Sequence, residues 1–130
     1  MTLTLYVATA AVFLILDAIM LTFVMKPLFT RHIGPLLAEP IRLAPAALFY
    51  LAYVGGLVFL VSLPALRSGA PLVVPALIIG LMAYGTYEFT SWSVMKDWHW
   101  SMVATDTIWG GVLTAVSAWA GVAITRAIHG

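Results

Sequence analysis

The sequence predicts an all-α integral membrane protein, an antiparallel four-helix bundle, on three observations. Of the 130 residues, 63% are hydrophobic and only 8% are charged, whereas an ordinary soluble domain is roughly 25% charged. Four hydrophobic runs are each long enough to cross the hydrocarbon layer, which takes a helix of about 20 residues. Short segments that contain proline, glycine or charged residues separate these runs. The length fits one transmembrane domain that covers residues 1–130.

The four runs define the predicted spans, which cover about residues 3–25, 43–63, 72–95 and 101–124. Each run is too long for a barrel strand, which alternates over about 10 residues. The first run is interpreted as a span rather than a cleaved signal peptide, because it lacks a basic segment before it and contains Asp17. Residues 26–42 mix basic and apolar side chains, which is typical of a short amphipathic piece in the interface, here broken by Gly34, Pro35 and Pro40.

Composition and charge exclude several classes of function. A net charge of +1 with scattered cations is not that of a nucleic-acid binder. The absence of cysteine excludes disulfides, thiolate metal sites and cysteine nucleophiles. The positive-inside rule places the first and third connections in the cytoplasm and both termini in the periplasm. Four cations, Lys26, Arg31, Arg42 and Lys96, belong to the side of these two connections, and two, Arg67 and Arg126, belong to the opposite side.

Three carboxylates, Asp17, Glu88 and Asp106, lie inside the hydrophobic runs. An ionised side chain at the middle of a span costs about 2.5–3.5 kcal/mol even on the lenient insertion scale. Asp17 lies about 13 Å along the helix from Lys26, and Glu88 about 12 Å from Lys96. Because successive spans alternate in direction, all three acids share one layer of the membrane. We therefore predict that they point into one pocket between the first, third and fourth spans.

Small residues share the helix faces of Glu88 and Asp106 and indicate close helix contacts, whereas the face of Asp17 is more apolar. Gly80 belongs to the stripe that contains Glu88, and Gly110 and Gly121 belong to the stripe of Asp106. The small-x-x-x-small pairs Ala52–Gly56 and Ala76–Gly80 are interpreted as internal packing surfaces. The predicted binding pocket consists of Asp17, Glu88, Asp106, Tyr84, Trp92 and Trp109.

The acids admit a functional and a structural interpretation. Three acids so close together cannot all be ionised without a cation, which points to binding of a proton, a cation or the polar group of a lipid, with transport as one form of this function. Alternatively, each acid accepts a hydrogen bond from a neighbouring helix and only fixes the packing. Three costly residues at one depth favour the functional interpretation. A divalent metal held by Asp17, Glu88, Asp106 and His99 is a further alternative, although no paired ligand spacing on one helix supports it.

Two other classes of function are also consistent with the sequence. The first is an intramembrane enzyme that acts on a lipid or isoprenoid, with one carboxyl as general acid and another as base. The second is a non-catalytic accessory subunit of a larger membrane complex, or a homo-oligomer. The sequence contains no glycine-rich phosphate loop, nucleophile elbow or HExxH motif. The tryptophans and tyrosines near one boundary are interpreted as an aromatic belt rather than as a platform for a pigment or quinone.

An ordered set of short motifs covers nearly the whole chain: Leu16-Asp17-Ala18, Lys26-Pro27, Leu48-Phe49-Tyr50, Tyr87-Glu88-Phe89-Thr90 and Asp106-Thr107-Ile108-Trp109-Gly110. In these motifs the chain resembles a family of small predicted bacterial membrane proteins described only as a domain of unknown function. The resemblance implies four transmembrane helices and a bacterial inner membrane, and it implies no activity. The chain departs from the family pattern at Glu88, where Asp is usual, and at Ser91, where Asn is frequent.

Overall fold

A computed structural model describes residues 1–37 and 43–130, and every regular element within these ranges is helical. Four continuous helices are long and apolar enough to cross a membrane, namely Thr2–Leu36, Ala44–Ser68, Val73–Val94 and Trp100–His129. The predicted all-α class with four membrane-spanning helices is confirmed. Within them the α-helical segments are α1 (Thr2–Met20), α2 (Lys26–Ile33), α3 (Leu43–Leu57), α4 (Leu63–Ser68), α5 (Val73–Val94) and α6 (Trp100–His129).

Pro27 and Pro64 lie in the interior of the first and second long helices, and a π-helical turn precedes each of them. The turn Leu21–Met25 joins α1 to α2, and the turn Val58–Ser62 joins α3 to α4. Pro27 and Pro64 each follow two residues after such a turn. A proline ring clashes with the carbonyl four residues earlier, which in both cases belongs to the π-helical turn. The wider turn removes that conflict, so the chain stays helical through the proline.

The first two membrane-spanning helices consequently end later than the hydrophobic pattern predicts. The first continues to Leu36, the last residue of a 3-10 turn that contains Gly34 and Pro35. The second continues past Pro64 and ends at Gly69, whose φ of +69° is in the left-handed region that glycine adopts readily. The second span was predicted to end at about residue 63, and the helix continues to Ser68. The predicted break at Pro40 and the charge of Arg42 lie outside the described residues.

Helix α6 packs against both α5 and α1. Along α5 and α6, Gly80 meets Gly110, whereas Ala76 belongs to a buried cluster with Ala118. Along α1 and α6, Asp17 meets Trp109 and Thr4 meets His129. In both pairs of helices residue numbers rise on one helix as they fall on the other. This order agrees with an antiparallel bundle.

Glycines bring α6 close to its two neighbours. A Cβ atom at Gly80 would collide with the carbonyl of Gly110, and one at Gly121 would collide with the side chain of Thr9. The predicted packing role of Ala76–Gly80 is therefore confirmed. The same prediction for Ala52–Gly56 is wrong, because α3 turns this face outward: both residues are exposed, and a Cβ at Gly56 would meet no described atom within 4 Å.

The variant Gly80→Ala is expected to lower the free energy of unfolding by about 1–3 kcal/mol, because the added methyl forces α5 away from α6. The control Gly56→Ala adds the same methyl at an exposed helical position and should cause no loss, since alanine favours helix over glycine. Unfolding in detergent, followed by circular dichroism, measures both. Equal losses in the two variants would contradict a close contact at Gly80.

Candidate functional site

A cavity of about 740 Å³ lies between the helices of the four spans. This volume is within the range of about 300–1,000 Å³ that is usual for small-molecule sites. Aromatic and aliphatic side chains form most of its lining, and a few polar groups converge among them. The lining residues are Asp17, Ala18, Leu21, Thr22, Met25, Lys26, Phe29, Leu37, Ala46, Phe49, Tyr50, Ala83, Tyr84, Tyr87 and Asp106.

Asp17 is the acid that α1 contributes to this cavity, and only 4% of the residue is exposed. Its Oδ1 atom accepts a hydrogen bond from Nε1 of Trp109 on α6, at 3.1 Å. Its Oδ2 atom has no hydrogen-bond partner among the described residues. The side chain of Tyr50 on α3 lies beside it. Among the described residues this buried carboxyl therefore has one N–H donor and one neighbouring hydroxyl, and its second oxygen accepts no hydrogen bond.

Glu88 and Asp106 form a second acidic unit, between α5 and α6. Glu88 is completely buried at 0% exposure and does not line the cavity. Its Oε1 atom accepts a hydrogen bond from Nε1 of Trp98, at 3.0 Å. The side chain of Asp106 lies beside that of Glu88 and also lines the cavity. Asp106 thus connects the buried glutamate to the cavity.

The residues of the predicted pocket occupy three different positions. Asp17, Tyr84 and Asp106 line the cavity. Glu88 lies behind Asp106, and Trp109 reaches the site through its hydrogen bond to Asp17. Trp92 does not line the cavity; it is 45% exposed and packs on Phe89, with ring centroids 6.1 Å apart.

The second span contributes a side of the cavity that the predicted pocket omitted. Phe49 and Tyr50 of α3 both line it. Tyrosines within an apolar run were the available signal, because a buried phenol usually needs a hydrogen-bond partner. Tyr53 has one, as its hydroxyl lies 2.8 Å from Oγ1 of Thr114. Periodicity alone did not show that Tyr50 faces Asp17.

His99 is held elsewhere, at the start of α6. Its Nδ1 atom accepts the backbone N–H of Ser101 at 3.1 Å, and its ring stacks on His32 with centroids 4.2 Å apart and planes 7° apart. Oγ of Ser101 lies 2.7 Å from Nδ1 of His99 and 3.5 Å from Nε2 of His32. Within residues 1–37 and 43–130, no three His, Cys, Asp or Glu side chains are grouped so that they could hold a metal ion. The histidine pair instead joins α2 to α6.

The chain matches the family model described as "Predicted membrane protein (DUF2177)" over residues 2–123. It belongs to this family. No curated protein and no solved structure matches the chain. The resemblance inferred from the motifs around Asp17, Glu88 and Asp106 is thereby confirmed, and the family carries no established function. Any statement about activity in this DUF2177 protein therefore depends on the geometry of its own cavity.

The cavity combines groups that can hold a positive charge in an apolar surrounding. Carboxyl oxygens of Asp17 and Asp106 provide acceptors, while the hydroxyl of Tyr84, which also lacks a hydrogen-bond partner among the described atoms, can donate or accept. Buried polar groups are normally satisfied, and an unsatisfied one is a reason to look for a missing partner. The arrangement is suited to a proton, a cation or a small polar group.

The variant Trp98→Phe should lower the free energy of unfolding by about 1–3 kcal/mol, because it removes the N–H donor of the fully buried Glu88. Trp119→Phe is the matched control, because Trp119 is 58% exposed and its indole has no hydrogen-bond partner among the described residues. Detergent unfolding monitored by circular dichroism compares them. If both variants unfold like the parent protein, the bond from Trp98 does not contribute to stability.

Proposed function

We propose that this protein binds a proton, a cation or the polar group of a lipid in its central cavity, with Asp17 and Asp106 as the accepting groups. The observation that carries the proposal is the lining: two acids and three tyrosines meet within a cavity that is otherwise mainly apolar. Such a combination orients a polar group and buries the apolar remainder of the same ligand.

The electrostatics of Asp17 support this function over a purely structural role. An ionised carboxyl in an apolar surrounding is costly unless a positive charge or a proton neutralises it. Among the described residues the hydrogen-bond donor to Asp17 is the neutral indole of Trp109, and the phenol of Tyr50 lies beside it; neither group carries a positive charge. The nearest cation on its own helix, Lys26, lies about 13 Å away along the axis. A bound proton or cation would supply the missing compensation.

The charge distribution supports a cytoplasmic position for the end of the cavity that carries Lys26. Lys26, Arg31 and Lys96 belong to that side of the described chain, whereas Arg67 and Arg126 belong to the opposite side. The positive-inside rule would then leave both termini in the periplasm. Together with the bacterial inner membrane that the family resemblance implies, this orientation lets the cavity exchange its ligand with the cytoplasmic leaflet. A transporter is the most specific form of the proposal.

Replacing Asp17 or Asp106 by Asn should reduce transport of protons or monovalent cations in reconstituted liposomes by about tenfold or more, since tenfold corresponds to only 1.4 kcal/mol of binding energy. Asp97→Asn is the control, because Asp97 is exposed in the connection between α5 and α6. A pH-sensitive dye inside the liposomes reports proton flux, and dyes that respond to sodium or potassium report cation flux. Equal flux in all four proteins, or none in any of them, would reject transport.

A lipid-modifying enzyme is the second candidate, and the pair of Glu88 and Asp106 favours it. Two adjacent carboxyl groups can hold one proton between them, so one acts as general acid while the other acts as base. Asp106 would face the substrate in the cavity, and Glu88 would hold the proton behind it. The apolar lining suits a lipid or isoprenoid chain.

Expression of the protein should then change the lipid profile of the host membrane, and Glu88→Gln should slow that change by about 100-fold or more, the usual contribution of general acid–base catalysis. Mass spectrometry of extracted lipids measures the effect, with Asp97→Asn as the control. An altered profile that persists undiminished in Glu88→Gln, or no altered profile at all, would eliminate the enzyme.

A further inference from the structure

We infer that the cavity is built for an amphiphilic primary or secondary amine in its protonated form, with the ammonium group beside Asp17 and the apolar chain among the aromatic rings. The inference rests on the proposed function, because it names the chemical class of the ligand that the cavity would hold. It excludes metal ions, quaternary ammonium compounds and anionic lipids as the preferred occupants.

The carboxyl group of Asp17 is the first feature that points to an amine. This residue is nine-tenths buried, lines the cavity and has one oxygen, Oδ2, without a hydrogen-bond partner among the described atoms. A protonated amine supplies a positive charge and an N–H donor in one group, and charge-assisted hydrogen bonds are the stronger kind. A bare metal ion would need several more ligands, and the described residues offer no group of three that could hold one.

Tyr84 lines the same cavity, and its hydroxyl also lacks a partner among the described atoms. Its ring is fixed in position, packed on Gly110 and edge-on to Tyr53, with centroids 6.4 Å apart and planes 70° apart. An ammonium group with two or more N–H bonds can donate to Asp17 and to Tyr84 together. A quaternary ammonium has no N–H bond and leaves both oxygens unsatisfied.

Aromatic rings line the cavity beside these oxygens. Rings of Phe49, Tyr50 and Tyr87 line the cavity together with Tyr84. The face of an aromatic ring attracts a cation, and more strongly where water is displaced. The same rings provide apolar surface for an alkyl or aryl chain. Carboxylates and aromatic rings in one cavity select an organic cation over a neutral lipid.

The position of Lys26 determines the orientation of a bound amine. Lys26 lines the cavity about 13 Å along the helix from Asp17. Its charge repels an ammonium group, so a bound amine is more stable with its charged end beside the acids than beside Lys26. An anionic amphiphile would place its head at Lys26 and its apolar tail against buried carboxyl groups, which leaves those groups unpaired. The charge order of the cavity therefore disfavours an anionic amphiphile.

The test compares four probes of one chain length: decylamine, decyltrimethylammonium, decanol and decanoate. Their affinities are measured by calorimetry on the full-length protein in phosphatidylcholine nanodiscs, with empty nanodiscs subtracted. Decylamine should bind at least about tenfold tighter than each other probe. Asp17→Asn should abolish this preference, and Tyr84→Phe should reduce the preference over decyltrimethylammonium several-fold. The exposed control Asp97→Asn should bind all four probes like the parent protein.

The outcomes separate this inference from the proposed function. Equal affinity for decylamine and decyltrimethylammonium would overturn the inference, because N–H donation would then be irrelevant. Tightest binding of decanol or decanoate would also overturn it, while ligand binding by the cavity would stand. If no probe binds the parent protein more tightly than it binds Asp17→Asn, and both proteins retain their helical circular dichroism, the inference fails. The proposed function fails as well only if Asp17→Asn and Asp106→Asn also leave the flux in liposomes unchanged. The series on the parent protein decides the inference even if Asp17→Asn does not fold.

Discussion

The burial of carboxyl groups in an apolar bundle is the constraint on which the rest of this structure depends. Lipid offers no hydrogen-bond donors, so each buried acid has to find one on a neighbouring part of the protein. The indole of Trp109 meets Asp17 and thereby ties α1 to α6, and the indole of Trp98 meets Glu88 and ties the start of α6 to α5. These two bonds restrict how far α1 and α5 can slide along α6. The aromatic residues of the chain therefore have a structural role beyond an interfacial belt.

Two local devices, glycine contacts and proline-associated π-helical turns, create the space in which the acids lie. Gly80 and Gly121 let α6 lie very close to α5 and α1, which fixes one side of the bundle tightly. The π-helical turn Leu21–Met25, two residues before Pro27, continues α1, and Leu21 and Met25 line the cavity. The same turn that accommodates a proline thus shapes the wall beside Asp17. Close packing at the glycines and a wider turn beyond Asp17 together leave room for a ligand.

The cavity gives the DUF2177 protein a chemical character that family membership does not supply. Asp17 and Asp106 belong to one lining, and Glu88 stands behind Asp106. The two interpretations of the acids are therefore not exclusive. Each hydrogen bond from a tryptophan satisfies only one oxygen of its carboxyl group, and Oδ2 of Asp17 stays without a partner among the described residues. An acid that both fixes the packing and retains an open acceptor can serve structure and ligand binding together.

Helical rise along the chain predicts one membrane depth for Asp17, Glu88 and Asp106, and this stays a prediction. Sequence alone determined the lipid surroundings, the number of spans and the family, because hydropathy and short motifs can be read along a single chain. It did not determine which acids share a surface, since the rotation of each helix depends on its neighbours. For that reason Glu88 was expected in the pocket and lies behind it, Trp92 was expected there and faces outward, and Tyr50 of the second span was not expected. The exposed pair Ala52–Gly56 and the outward-facing side of α3 have the same origin. Which faces meet was decided only by tertiary packing, because small-residue contacts and hydrogen bonds between helices select the rotation that hydrophobicity leaves free.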